Sequence, residues 1–145
     1  MVEVDRNGLE VLSRDECLRL LRSATIGRVG TTIGALPTVL PVNFRVVGDR
    51  VVFRTTAGTK LDAAATNAVV AFEADAIDPL NHGGWSVVVT GIAREVTDPA
   101  ELEELRAANI PFWAPTSDGH VVSIRTEMIT GRRLVPTYHP AEAGP

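Results

Sequence analysis

Apolar and polar positions change period once along this chain. Leu12, Cys17, Leu18 and Leu21 recur at helical spacing around Ser13-Arg14-Asp15-Glu16, a capping box, which predicts a short helix ending near Ser23 with Leu12 stapled onto Cys17. From Ile26 onward Val, Ile and Thr predominate, punctuated by Gly30, Gly34, Pro37, Gly48 and Asp49, so a β-meander is expected. Its clearest hairpin joins residues 41–47 to 50–56 through Gly48-Asp49. A two-residue loop sets Val47 opposite Arg50, Phe44 opposite Phe53 and Asn43 opposite Arg54. One face then carries Val42, Phe44, Val46, Val51, Phe53 and Thr55 and reads as core. The other carries Asn43, Arg45, Arg54 and Thr56, a solvated face on which Asn43 and Arg54 form a polar pair leading toward the next turn.

Beyond the hairpin the pattern predicts an alanine-rich helix over 60–66 stopped by Asn67, a strand over 68–73, a turn region over 75–84 and a long strand over 85–96. Asp98-Pro99-Ala100-Glu101 opens another helix, whose apolar edge is Leu102 and Leu105. An ordered loop over 109–119 is anchored by Pro111, Phe112 and Trp113. The final strand runs over 121–129, Gly131-Arg132-Arg133 turns the chain out, and a loose tail follows from Pro136. Strands that adjoin without regular helical crossovers predict a mainly β (α+β) domain, a closed or partly closed barrel of about six antiparallel strands with short flanking helices. The expected organisation is an N-terminal arm over 1–12, one domain over 13–134 and a flexible tail over 135–145.

Composition narrows the partners. With 145 residues, 45% apolar and 22% charged, the chain can bury one core of ordinary size. A net charge of −4, with no cation run beyond Arg132-Arg133, argues against sequence-independent nucleic-acid binding. Cys17 is the single cysteine and falls on the first amphipathic helix, where a thiol acts as a small hydrophobe. No apolar run reaches membrane-spanning length and the first twenty residues lack a signal-peptide core, so a cytoplasmic protein with no membrane partner is expected. His82, His120 and His139 fall in loops or the tail, without metal-ligand spacing, and no metal site is expected.

Candidate chemistry concentrates in Thr55-Thr56-Ala57-Gly58-Thr59-Lys60, which follows a strand, precedes a helix and ends in the only lysine among fourteen Lys and Arg residues. Backbone N–H groups at a helix start, hydroxyls and one ammonium together suit a phosphate. Thr59-Lys60-Leu61-Asp62 equally spells a capping box, and Asp62 opposes an anion unless its carboxylate points away. Both readings stand at this point. Nucleophile-elbow, P-loop and Rossmann glycine motifs are missing, and no catalytic side chain is nominated, so any enzymatic chemistry requires a cofactor.

Pro41-Val42-Asn43-Phe44, the string Phe53 to Lys60, and Trp85-Ser86-Val87-Val88-Val89-Thr90-Gly91 together resemble the pyridoxamine 5′-phosphate oxidase-like superfamily of FMN-binding split barrels, over residues 13 to 134. That resemblance implies a split barrel with the flavin ring beside Pro41, Val42, Asn43 and Phe44. It implies cofactor contacts at Arg54, Thr55, Thr56, Thr59 and Lys60, the last two at the ribityl phosphate, and on the long strand at Ser86 beside Trp85. It also implies a homodimer holding two flavins between subunits. Here Ser123-Ile124-Arg125-Thr126-Glu127 stands where the true oxidase has its arginine- and histidine-containing substrate motif, and Leu61 replaces a second basic residue after Lys60. Vitamin B6 oxidation is therefore not implied.

The expected function is an FMN-binding oxidoreductase that passes hydride through flavin N5 to a small redox substrate. Backbone N–H groups of residues 42 to 44 are expected to polarise the ring. Two alternatives stay open: a deazaflavin-dependent reductase on the same fold, and a flavin-binding carrier or sensor without turnover.

Overall fold

The computed structural model describes residues 2–56, 58–64, 67–110 and 119–136, the side chains of Lys60 and Ala64 excepted. The element order is β1 (Glu10–Val11), α1 (Arg14–Ser23), β2 (Ile26–Ile33), β3 (Leu36–Val47), β4 (Arg50–Thr56), α2 (Lys60–Ala64), β5 (Ala68–Ile77), β6 (Gly84–Glu95), α3 (Pro99–Ala107), β7 (Gly119–Arg125) and β8 (Met128–Leu134). Strands β6-β5-β2-β3-β4-β7 close on themselves through a β6–β7 pairing, forming a six-stranded antiparallel barrel. β8 and then β1 extend the sheet from β6. The alternating pattern expected of a mainly β barrel is therefore realised.

Closure depends on strands that change partners. Leu36 to Asn43 of β3 pairs with β2, and Phe44 to Val47 pairs with β4. The hairpin register of Phe44 with Phe53 and Val47 with Arg50 is as expected. The Asn43–Arg54 pair does not form: Asn43 lies opposite Ile26 and Arg54 opposite Val121. At this corner the Phe44 N–H donates to the Thr25 carbonyl, and β4 leaves β3 to run along β7. A barrel that closes must spend the end of β4 on a new neighbour.

The interior is filled by Phe44, Phe53, Phe72, Val87, Val89, Val122 and Ile124, all essentially without solvent contact. Phe44 and Phe72 meet edge to face with ring centroids 4.7 Å apart. α1 covers one end of the barrel. Its Ser13 cap accepts the Glu16 N–H, and Cys17, Leu20 and Leu21 are buried. A Cβ on Gly131 would stand 2.5 Å from the Cys17 sulfur, so glycine there lets α1 lie against β8. Cys17 is core, and burial pushes its thiol pKa up.

Two expectations for the C-terminal segment are corrected. The strand over 121–129 is broken at Thr126-Glu127 into β7 and β8, and Gly131-Arg132-Arg133 continues β8 instead of turning outward. Thr126 pins the break: its N–H and hydroxyl both donate to the Asp49 carbonyl, at 2.9 and 2.8 Å, and the Arg14 guanidinium donates to its hydroxyl and carbonyl. The N-terminal arm joins the sheet, since Glu10 and Val11 pair with Arg133 and Arg132. Residues 65, 66 and 111–118, with Pro111, Phe112 and Trp113, and the tail from residue 137 lie outside the described residues.

Candidate functional site

The end of β4 and the turn behind it are built around one carboxylate. Thr59 caps α2, its hydroxyl accepting the Asp62 N–H at 3.2 Å and donating to the Thr56 carbonyl at 2.7 Å. Asp62 reaches back, but to Gly58 and not to Thr59: one carboxylate oxygen accepts the Gly58 N–H at 3.2 Å. Its other oxygen accepts the Thr55 hydroxyl at 2.7 Å and lies 2.5 Å from Nδ1 of His120. The capping reading of this turn is therefore real. The Asp62 side chain is only 13% exposed, so its carboxylate ties the turn from beneath while the outer side faces solvent. Gly58, at φ +77°, has no atom within 4 Å of where a Cβ would stand, which leaves that outer side open to a close approach.

His120 was expected in a loop; it is on β7, paired with Thr55, and belongs to this site. Its Nε2 lies 3.6 Å from a Glu95 oxygen on β6. The hydrogen bond to Asp62 raises the imidazole pKa; desolvation opposes it, and the charges of Asp62 and Glu95 add to the rise. Burial alone would raise the Asp62 carboxyl. Hydrogen bonds from Thr55, His120 and Gly58 outweigh it and hold the group below its ordinary value. Beside His120 a cleft of about 530 Å³ opens between α3 and the β4–β7 edge, with Arg54, Glu95, Arg106, Asn109 and His120 around an apolar floor that includes Val96 and Leu105.

α3 forms that wall because Asp98 caps it, accepting the Glu101 N–H at 3.1 Å, and because Leu105 buries with Val52 and Val96 in a second small core. Arg50 pairs with Glu101 and fastens the helix to β4. The outer face of this hairpin, expected to be solvated, is thus largely covered.

The remaining expected contacts are dispersed. Pro41 is exposed and Asn43 half-buried on the outer surface of β3, whereas Val42 and Phe44 point inward at 4% and 0% exposure. The Phe44 N–H is already held by Thr25, which removes it from the donors expected to polarise a ring. Thr55 also points inward, while Arg54 and Thr56 are half-buried on the outer side. Trp85 sits in the barrel core, and Ser86 faces outward, donating to Glu73 at 3.2 Å. Arg28 bridges Glu73 and Asp75 next to it, at 3.1 and 3.2 Å. Two strands separate Ser86 from Asn43, about 14 Å at ordinary strand spacing. One subunit therefore gathers Arg54, Thr55, Thr56 and Thr59 with Asp62 and His120. Trp85 and Ser86 lie elsewhere on the same subunit. The Lys60 side chain and Ala57 lie outside the described residues. No group of three or more potential metal ligands occurs among the described residues.

The sequence model of the pyridoxamine 5′-phosphate oxidase family matches residues 13–133. An uncharacterized protein of Mycobacterium tuberculosis is 44% identical over 129 residues, covering 86% of this chain and 84% of its own. Among solved structures, the FAD binding protein from Mycobacterium smegmatis superposes with a TM-score of 0.76 at 44% identity, covering 86% of this chain and 98% of its own. A putative pyridoxamine 5′-phosphate oxidase from Corynebacterium glutamicum gives a TM-score of 0.76 at 32% identity, covering 88% and 98%.

Proposed function

The chain belongs to the pyridoxamine 5′-phosphate oxidase family, and from that premise we propose that it is a flavin-binding oxidoreductase whose cofactor lays its phosphate end on the turn from Thr55 to Lys60. The observation that carries the proposal is the gathering of Arg54, Thr56, Thr59 and His120 around a turn whose one carboxylate, Asp62, is turned inward and paired. Those residues fit a phosphate. Thr59 and Lys60 would hold it, the Gly58 opening would let it approach the backbone, and Arg54 would face the adjoining ring or ribityl chain. When bound, a flavin supplies hydride transfer at N5, chemistry that no side chain of this protein can perform. The wall of α3 excludes water from the β4–β7 edge, and Val52, Val96 and Leu105 give that edge a dry floor.

FMN was the form expected from the sequence. The FAD-binding relative at 44% identity supports FAD as the form carried here, with the same phosphate turn at its centre. Vitamin B6 oxidation stays outside the proposal, because Arg125 is exposed and paired with Glu127 at 3.1 Å at the far end of β7. A homodimer completes it. The outer surface of β3, β2, β5, β6 and β8 exposes Val39, Val69, Ile92 and Met128, an apolar face suited to a second copy. Cytoplasmic placement is part of the proposal, and no described helix is long and apolar enough to cross a membrane.

The test is to heat the purified protein and chromatograph the released ligand against FAD, FMN and deazaflavin standards. FAD in the supernatant supports the proposal; a deazaflavin replaces the cofactor, and a colourless protein that takes up none of them refutes it.

A further inference from the structure

Resting on the flavin reading, we infer that Asp62 and His120 are positioning residues for the cofactor's anionic end, and that FAD binding is linked to the proton on His120. Asp62 joins three elements at one point, through the Thr55 hydroxyl on β4, the Gly58 N–H of the turn and His120 Nδ1 on β7. Without it the turn has no tie to the barrel through these groups. Its cost is a negative charge directly under the place where a phosphate would lie. The imidazolium cancels that charge, so the clasp shapes the turn without repelling its ligand.

The charged groups facing His120 come from every element packed around it: Asp62 from α2, Glu95 from β6, Arg54 from β4 and Arg106 from α3. Asp62 and Glu95 are in ion-pair range of the ring, one at each nitrogen, and both favour its protonated form. Losing that proton leaves two carboxylates flanking a neutral ring. Among the described residues around the turn, His120 is the side chain whose ordinary pKa lies between mildly acidic and mildly basic pH. His120 lies at the rim of the cleft with 41% of its side chain exposed, so the proton exchanges directly with solvent.

The test is a fluorescence titration of apoprotein with FAD and with riboflavin from pH 6 to 9. FAD is the right probe because its diphosphate does not titrate there, whereas a phosphomonoester does, near about pH 6. The wild type should lose FAD affinity on the order of tenfold as pH rises through the His120 pKa, since one proton is linked to binding. Riboflavin, lacking the anionic end, should show no such loss. His120→Gln should bind FAD more weakly with a flat pH profile. Asp62→Asn keeps the ring beside Glu95 but loses the partner that chiefly raises its pKa, so its loss of FAD affinity should move to lower pH. A wild-type profile that is itself flat, a slope that survives in His120→Gln, or an equal slope for riboflavin would overturn the inference. Tight but pH-independent FAD binding defeats this inference alone, whereas failure to bind any flavin at any pH defeats the flavin reading beneath it.

Discussion

The barrel has two outer faces of opposite character. On the β4–β7 side, α3 buries Val52, Val96 and Leu105, and charged groups gather at the rim in Arg54, Glu95, Arg106 and His120. On the other side, a single register row runs Val39, Gly30, Ala71, Thr90 and Met128 across five strands, with nothing packed over it among the described residues. Val39 and Met128 are 66% and 68% exposed there. One face has been closed by the chain itself and furnished with charge. The other carries exposed apolar side chains beside the Arg28–Glu73–Asp75 cluster and is left open among the described residues. On the proposed reading, the difference separates two tasks, ligand binding on the closed side and assembly on the open side.

The largest expected contrast is in stability. Leu105→Ala removes a side chain that is 1% exposed and should cost about 2–5 kcal/mol by urea denaturation. Val69→Ala, at a residue 69% exposed on the face proposed to meet a second copy, should change the same measurement by less than about 0.5 kcal/mol at protein concentrations low enough to hold the monomer. Equal costs there would mean that the open face is covered within one subunit. Next comes ligand binding. Lys60→Ala should weaken FAD on the order of tenfold to a hundredfold, corresponding to about 1.5–3 kcal/mol for a lost charge-assisted contact, with melting unchanged. On the open face, Met128→Lys should shift the protein toward monomer by light scattering without altering monomer folding. A variant still dimeric would place the interface elsewhere.

Smaller effects sharpen the picture further. The clasp contributes stability through two opposed shifts. His120 is raised above its ordinary 6.5, so its share is full below that value and fades as pH climbs through the raised pKa. Asp62 is lowered from 3.8, so its share is present above that value and disappears as pH falls through the lowered pKa. The melting difference between wild type and Asp62→Asn should thus be greatest between pH 4 and 6.5 and narrow by pH 9. Ala35, held at φ +66° in the β2–β3 turn, offers the mildest test. Ala35→Gly should stabilise by up to about 1 kcal/mol, seen as a small rise in melting temperature.

Much of the closed face was legible in the sequence because it rests on local rules. The Ser13, Thr59 and Asp98 caps, the Gly48-Asp49 hairpin and the inward set from Val42 to Thr55 all depend on residues a few positions apart. What could not be read depends on distant partners. Asn43 and Arg54 part because β4 must meet β7, and no feature of the hairpin encodes that neighbour. His120 resembles a loop residue until β7 brings it opposite Thr55, sixty-five positions away, and Asp62 then becomes its partner. The break at Thr126 likewise needs Arg14 and Asp49 from other parts of the chain. The resemblance implies cofactor contacts at Ser86 and its neighbour Trp85, and strand alternation sends the tryptophan inward and the serine out.

The central claim is that the turn closing β4 grips the anionic end of a flavin. The most direct measurement compares the dissociation constants of FAD and riboflavin for the same apoprotein at pH 6.5, where the two ligands share the ring and differ in the diphosphate and nucleotide. Wild-type protein should hold FAD at least about tenfold more tightly, and Lys60→Ala should erase most of that preference. Equal affinities for the two ligands, unchanged by Lys60→Ala, would contradict it.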